Sequence, residues 1–216
     1  YAGSFFAYSH STPPLLVTDE HGGNVTTFFT TSDDVKWQSQ LPADTAFRGA
    51  DLRHHLTFTF PKPKGAQSLK LLVNAGTAWW GSNMIREMLK LRGDKVDEWY
   101  RDIDRGGPEL QRLRYFIDRE ELYVLKVNVL EGSAWTTRAI IRGGGPLVDE
   151  DRLIDIDISH AIGDTLTIQL NPPRGFWKID CLNVVDDTVP VPITREIGMS
   201  EANDQDGRDI RALLGA

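Results

Sequence analysis

The chain has 216 residues, a formal net charge of −7, 40% hydrophobic residues and 25% charged residues. This balance excludes a disordered chain, and the length fits one domain. The negative net charge does not favour binding to the phosphate backbone of nucleic acid. No apolar run approaches the roughly 20 residues that a membrane span needs. Cys181 is the only cysteine, which excludes disulfides within the chain and a Cys-rich zinc site.

The chain opens at Tyr1 without an initiator methionine, so we expect 1–216 to be a single-domain fragment of a longer protein. Alternating apolar and polar residues, which indicate half-buried strands, begin in 55–60, where Leu56, Phe58 and Phe60 would share one face. An apolar run over 69–75 predicts a further strand.

Between about 82 and 118 the apolar residues change to a helical period. A first stripe over 84–89 ends at Gly93, Asp94 is expected to cap a second helix, and Pro108 suits the first turn of a third. We therefore predict a helical insertion at about 82–118.

Strand patterns return after the insertion. The runs 122–130 and 133–141 predict a hairpin with Gly132 at a positive φ, and alternation recurs in 154–158 and 165–171. Strands interrupted once by helices favour a mainly β fold, an antiparallel β-sandwich with an insertion, over a βαβ repeat.

Two segments near opposite ends of the sequence match each other. Both 19–29 and 204–214 read D-x-x-G-x-[N/D]-[V/I]-x-x-[F/L]-[F/L], a turn held by Asp and Gly and followed by an amphipathic segment. Either 195–216 begins a following repeat-like segment, or common turn chemistry has matched by chance.

The segment 207–214 resembles a motif of the strand-rich regions that accompany FG-GAP or VCBS repeats in secreted and surface proteins. The stretch 157–168, continued by 175–180, is similar to the closing strands of galactose-binding-like jelly rolls. The resemblance implies a jelly-roll sandwich and a location outside the cytoplasm. The propeller-type calcium loop is missing, so calcium binding is not carried over.

Few residues point to catalysis. Asp155 and Asp157 would share a strand face with Cβ atoms about 7 Å apart, which fits glycoside hydrolysis and also fits a solvent-facing strand. No nucleophile elbow, zinc-protease helix or phosphate loop motif is present. Cys181 is expected on the same face as Trp177 and Ile179, as a small buried hydrophobe.

Metal and cofactor sites are not predicted either. The adjacent His54 and His55 would point to opposite faces of a strand, so they cannot easily reach one ion. The carboxylates of 203–207 lack the first and last ligands of an EF-hand loop. We predict no catalytic residue, no metal and no cofactor.

The tryptophan pair Trp79 and Trp80 is the main candidate for ligand binding. If one indole faces outward, it can stack on the C–H face of a sugar ring, with Asn74, Asn83 and Arg86 as polar contacts. The alternative is that the helical insertion covers both rings.

These observations lead to three hypotheses for function. The first is a non-catalytic, carbohydrate-binding module of a larger extracytoplasmic protein. The second is a structural or interaction domain that packs against neighbouring domains of its own chain, and the third is a glycoside hydrolase-type enzyme. The expected partners are therefore a glycan or neighbouring domains, without nucleic acid.

Overall fold

The structure, a computed structural model, describes residues 5–41, 52–121, 123–143, 147–186, 188–191 and 201–213. The chain forms two compact units. The larger unit spans residues 10–186, and the smaller one combines residues 1–9 with 187–216.

The larger unit contains two antiparallel sheets. One sheet has five strands in the order β3 (Leu16–Thr18), β5 (Leu56–Pro61), β10 (Thr165–Asn171), β7 (Val124–Glu131) and β8 (Ala134–Arg142). The other has the order β2 (His10–Thr12), β11 (Trp177–Asp186), β6 (Ser68–Thr77) and β9 (Asp149–Asp157), and β4 (Trp37–Gln38) also pairs with β11. Every described strand pair is antiparallel, so the predicted mainly β, antiparallel sandwich is confirmed.

The hydrophobic core lies between the two sheets and follows the predicted alternation. Phe58 on β5 and Ile168 on β10 are fully buried and occupy paired positions, and Leu71 on β6 is buried from the opposite sheet. Burying one such side chain stabilises the fold by roughly 1.5–3 kcal/mol. An apolar residue at every second position is therefore enough to decide which face of a strand points inward.

The hairpin between β7 and β8 has the predicted glycine. Gly132 has a φ of 63°, a left-handed conformation that costs glycine little. Because Glu131 pairs with Ala134, the two turn residues are Gly132 and Ser133, one residue later than the sequence pattern indicated.

A β-bulge in β11 changes which face Cys181 occupies. Ile179 pairs with Ala75 but Cys181 pairs with Asn74, so Asp180 is an extra residue in the strand. The bulge reverses the alternation, because each residue beyond it points to the opposite face. Cys181 is buried as predicted, but its placement on the face of Ile179 was wrong.

The insertion contains three α-helices in the described residues: α1 (Trp79–Lys90), α2 (Val96–Asp104) and α3 (Pro108–Glu120). Pro108 begins α3 as predicted. Asp94 does not cap α2, because it lies in a short 3-10 helix, Gly93–Lys95, and the residue before α2 makes no side-chain cap hydrogen bond. None of the described helices combines the length and apolarity needed to cross a membrane.

A compact turn follows β3. Oδ1 of Asp19 accepts hydrogen bonds from the backbone N–H groups of His21 (2.9 Å) and Gly23 (2.7 Å). Gly22 between them has a φ of 79°. A short 3-10 helix, Thr26–Phe28, comes next.

The smaller unit contains a β ribbon and a second turn. Strand β1 (Phe5–Ala7) pairs antiparallel with β12 (Val189–Val191). Asp204 opens a turn that is followed by a 3-10 helix, Arg211–Leu213. Of the predicted repeat-like segment 195–216, residues 195–200 and 214–216 lie outside the described residues.

Candidate functional site

Three of the predicted ligand-binding residues share one face of α1. Trp79, Asn83 and Arg86 are spaced at i, i+4 and i+7, which places them on one stripe of a helix. Trp79 is 68% exposed, and the amide Nδ2 of Asn83 donates a hydrogen bond to the Trp79 carbonyl oxygen over 3.1 Å. This exposed face combines an indole, an amide and a guanidinium group.

Trp80 points away from that stripe and anchors the start of α1. Its ring lies against Gly175, where an added Cβ would come within 3.1 Å of the indole. Gly175 also has a φ of 74°, so both the space and the backbone favour glycine here. Trp80 keeps 42% of its surface exposed, so the helices do not cover the ring completely.

Asn74 belongs to the sheet. It lies on β6 opposite Asp151 of β9, and its Nδ2 donates a hydrogen bond to Asp151 over 2.8 Å. The structure therefore gathers Trp79, Asn83 and Arg86 on one surface and places Asn74 on another element.

A cavity of about 530 Å³ lies on another side of α1, between the three helices and the sandwich. Its walls are mostly apolar or aromatic. They include Ile85, Met88, Leu113, Phe116, Tyr123 and Phe176.

The sandwich side of the cavity is formed by two aromatic rings. Tyr123 and Phe176 meet edge to face, with centroids 4.8 Å apart. The Tyr123 hydroxyl donates a hydrogen bond to the sulfur of Met88 over 3.2 Å, and burial raises the pKa of Tyr123. These contacts join α1 to the sandwich across the cavity.

The lining also contains an ion-pair cluster. Arg92 and Arg112 both bond the carboxylate of Glu109, Arg92 over 3.3 Å. Burial raises the pKa of Glu109, but the Arg112 and Arg92 guanidinium groups lower it by more, so the net pKa is below its usual value. The Arg92 guanidinium also lies 4.8 Å from the ring centroid of Trp99, a cation–π contact.

Trp99 also lines the cavity, and its ring nitrogen is enclosed by the protein. Its Nε1 is buried, and no acceptor within the described part of the chain bonds to it. A buried donor without a partner costs about 1–3 kcal/mol.

The sequence named Trp79, Asn83 and Arg86 as candidates, but it predicted neither their common stripe on α1 nor this cavity. The available signals were the apolar stripes of consecutive helices and the Glu109–Arg112 pair at i and i+3. Neither signal reveals how closely the helices pack, because that depends on contacts between distant residues such as Tyr123 and Met88.

Asp155 and Asp157 each bond a basic side chain. Asp155 accepts a hydrogen bond from Lys70, and Asp157 lies 3.3 Å from Arg138. Hydrogen bonds from Ser159, with help from Arg138, hold the pKa of Asp157 below its usual value. A general acid needs a raised pKa, so this environment favours a surface ion pair over that role.

Among the residues that the structure describes, no group of three or more His, Cys, Asp or Glu side chains could hold a metal ion.

Comparisons with protein-family models, with curated proteins and with solved structures found no match to this chain. The fold itself defines a class: a mainly β protein with an antiparallel β-sandwich and a three-helix insertion. Any function must therefore be argued from the geometry of the sites.

Proposed function

We propose that this chain is a non-catalytic carbohydrate-binding module that uses the exposed face of α1. The observation that carries the proposal is Trp79, whose indole is 68% exposed beside Asn83 and Arg86. A jelly-roll relationship and an extracytoplasmic location belong to the same proposal, and their support is the resemblance of 157–168 and 207–214 to known families.

The chemistry of this face suits a sugar. An indole presents a flat apolar surface to the C–H face of a pyranose ring, while the amide and the guanidinium can donate hydrogen bonds to its hydroxyl groups. Trp80, packed on Gly175, fixes the first turn of α1, so little conformational entropy would be lost on binding.

A protein interface is the second candidate for the same surface. Exposed Trp and Arg side chains are also enriched at the centres of such interfaces. In that case the module would pack against another domain through Trp79, and no glycan would bind.

A glycan array with the wild type and Trp79→Ala tests the proposal. We expect the wild type to bind a subset of glycans and Trp79→Ala to lose affinity by about tenfold or more, in line with the loss of a buried aromatic anchor. Trp135→Ala is the matched control, because Trp135 is 41% exposed on β8 of the sandwich, and this variant should bind like the wild type.

Three results would replace the carbohydrate proposal. Absence of glycan binding would exclude it. Loss of a protein partner with Trp79→Ala would instead indicate an interaction domain. Hydrolysis of chromogenic glycosides that Asp157→Asn abolishes would indicate an enzyme.

A further inference from the structure

The cavity and the exposed face lie on different sides of α1. Successive residues of a helix are rotated by about 100°, so Met88, nine residues after Trp79, lies on the opposite side of α1. Both Met88 and Ile85, which is also turned away from Trp79, line the cavity. A ligand in the cavity would therefore use a site separate from the carbohydrate surface.

The cavity has the size and the walls of a small-molecule site. Its volume of about 530 Å³ falls within the range of about 300–1,000 Å³ that is usual for such sites. Trp99, Phe116, Tyr123 and Phe176 all contribute to the lining. Aromatic walls favour a flat ring, which can make edge-to-face and stacked contacts with them.

The guanidinium of Arg92 lies beside the aromatic walls. It is 4.8 Å from the ring centroid of Trp99, and both residues line the cavity, so a ligand ring held against Trp99 lies close to a cation.

The charges of the lining favour an anion. Among the lining side chains that the structure describes, Arg92 and Arg112 share the carboxylate of Glu109, which leaves one formal positive charge in excess. The whole chain has a net charge of −7, so this local excess runs against the bulk charge. Guanidinium groups match the geometry of a carboxylate and bind it with charge-assisted hydrogen bonds.

We propose that this cavity binds a small aromatic carboxylate. The ring lies among the aromatic walls, and the carboxylate pairs with Arg92 and Arg112. Glu109 competes with the ligand for the same two guanidinium groups, so it weakens binding and sets the affinity.

The probes are 2-naphthoate and its neutral analogue 2-naphthamide, titrated calorimetrically. Both carry the same ring system and an acceptor oxygen, but only naphthoate is charged. We expect naphthoate to bind about tenfold or more tightly than naphthamide, the usual effect of a charge-assisted contact. In ¹⁵N NMR, naphthoate should shift the indole signal of Trp99, assigned by its loss in Trp99→Phe.

Two surface variants should change the affinity in opposite directions. Arg112→Gln removes one cation and should weaken naphthoate binding about tenfold, whereas Glu109→Gln removes the competitor and should strengthen it several-fold. Both should leave naphthamide affinity within about twofold. Arg114→Gln is the matched control, because Arg114 is exposed on the same helix and does not line the cavity.

Several outcomes would overturn the proposal. These are no naphthoate binding at millimolar concentration, equal affinity for the two probes, an unmoved Trp99 signal, or weaker binding by Glu109→Gln. A dimer in solution that Leu113→Asp dissociates would show that a second copy covers the cavity, which would also overturn it. Trp79→Ala should retain naphthoate binding, so failure here is distinguishable from failure of the carbohydrate proposal.

Discussion

Asp19 and Asp204 hold turns with the same hydrogen bonds. In each turn Oδ1 accepts from the backbone N–H groups two and four residues later, which are His21 and Gly23 in one and Asp206 and Arg208 in the other. The matching sequence patterns therefore correspond to one local conformation, which forms from contacts within a few residues.

Gly22→Ala should lower the free energy of unfolding by about 1 kcal/mol, because Gly22 has a φ of 79° that an L-residue adopts at a cost. An added Cβ meets nothing within 4 Å, so the cost comes from the backbone alone. Urea unfolding measures it. Gly22→Asn is the matched control and should cost less, since asparagine tolerates this conformation; an equal loss for both variants would contradict the explanation.

Asp149→Asn should remove a stabilisation that depends on pH. Lys36 and Lys178 bond this carboxylate over 2.8 and 2.9 Å. Burial raises the pKa of Asp149, but these two hydrogen bonds lower it by more, so its net pKa lies below the ordinary 3.8. A lowered pKa in the folded state means that the stabilisation is complete above pH 3.8 and is lost as the pH falls through the folded-state pKa.

We therefore expect Asp149→Asn to cost about 1–2 kcal/mol at pH 7, with the difference from the wild type shrinking towards pH 2. Urea unfolding across this pH range is the measurement. Asp155→Asn on the same strand is the control, because the Asp155 side chain is 76% exposed and its ion pair with Lys70 should contribute little. A difference for Asp149→Asn that stayed constant with pH would rule out this linkage.

The buried amides of Asn128 and Asn171 should show strong coupling. Nδ2 of Asn128 donates to Asn171, and Nδ2 of Asn171 donates to the carbonyl oxygen of His54 over 3.3 Å. Each single change to alanine should cost about 1–3 kcal/mol, since it leaves a buried partner unsatisfied. The loss in the free energy of unfolding for the double variant should be clearly smaller than the sum of the losses for the two single variants. Strictly additive losses in urea unfolding would contradict the network.

Cys181 should react with a thiol reagent only after unfolding. The side chain is 2% exposed, and burial raises the pKa of its thiol, so little of the reactive thiolate forms. Reaction with 5,5′-dithiobis(2-nitrobenzoate) should be slow in buffer and complete in denaturing urea, with Cys181→Ala as the blank. Rapid reaction in buffer would mean that the bulged strand opens readily.

Much of the fold could be predicted because the sequence patterns that indicate strands, helix starts and turns depend on neighbouring residues. The alternation at Phe58 and Ile168 identified buried strands, Pro108 marked the start of α3, and Gly132 marked a turn. Of the candidate site, the helical spacing of Asn83 and Arg86 was also present in the sequence. These features depend on side-chain period and backbone preference, which neighbouring residues set.

Other features depend on contacts between distant residues. The bulge at Asp180 moved Cys181 to the other face, because pairing with β6 set the register. The Tyr123–Met88 contact and the Arg92–Glu109 pair enclose a cavity that no single helix encodes. The sequence by itself determined the inward face of the regularly alternating strands, since polarity and period are local, whereas the packing of one element on another decided where the alternation breaks and where a ligand could fit.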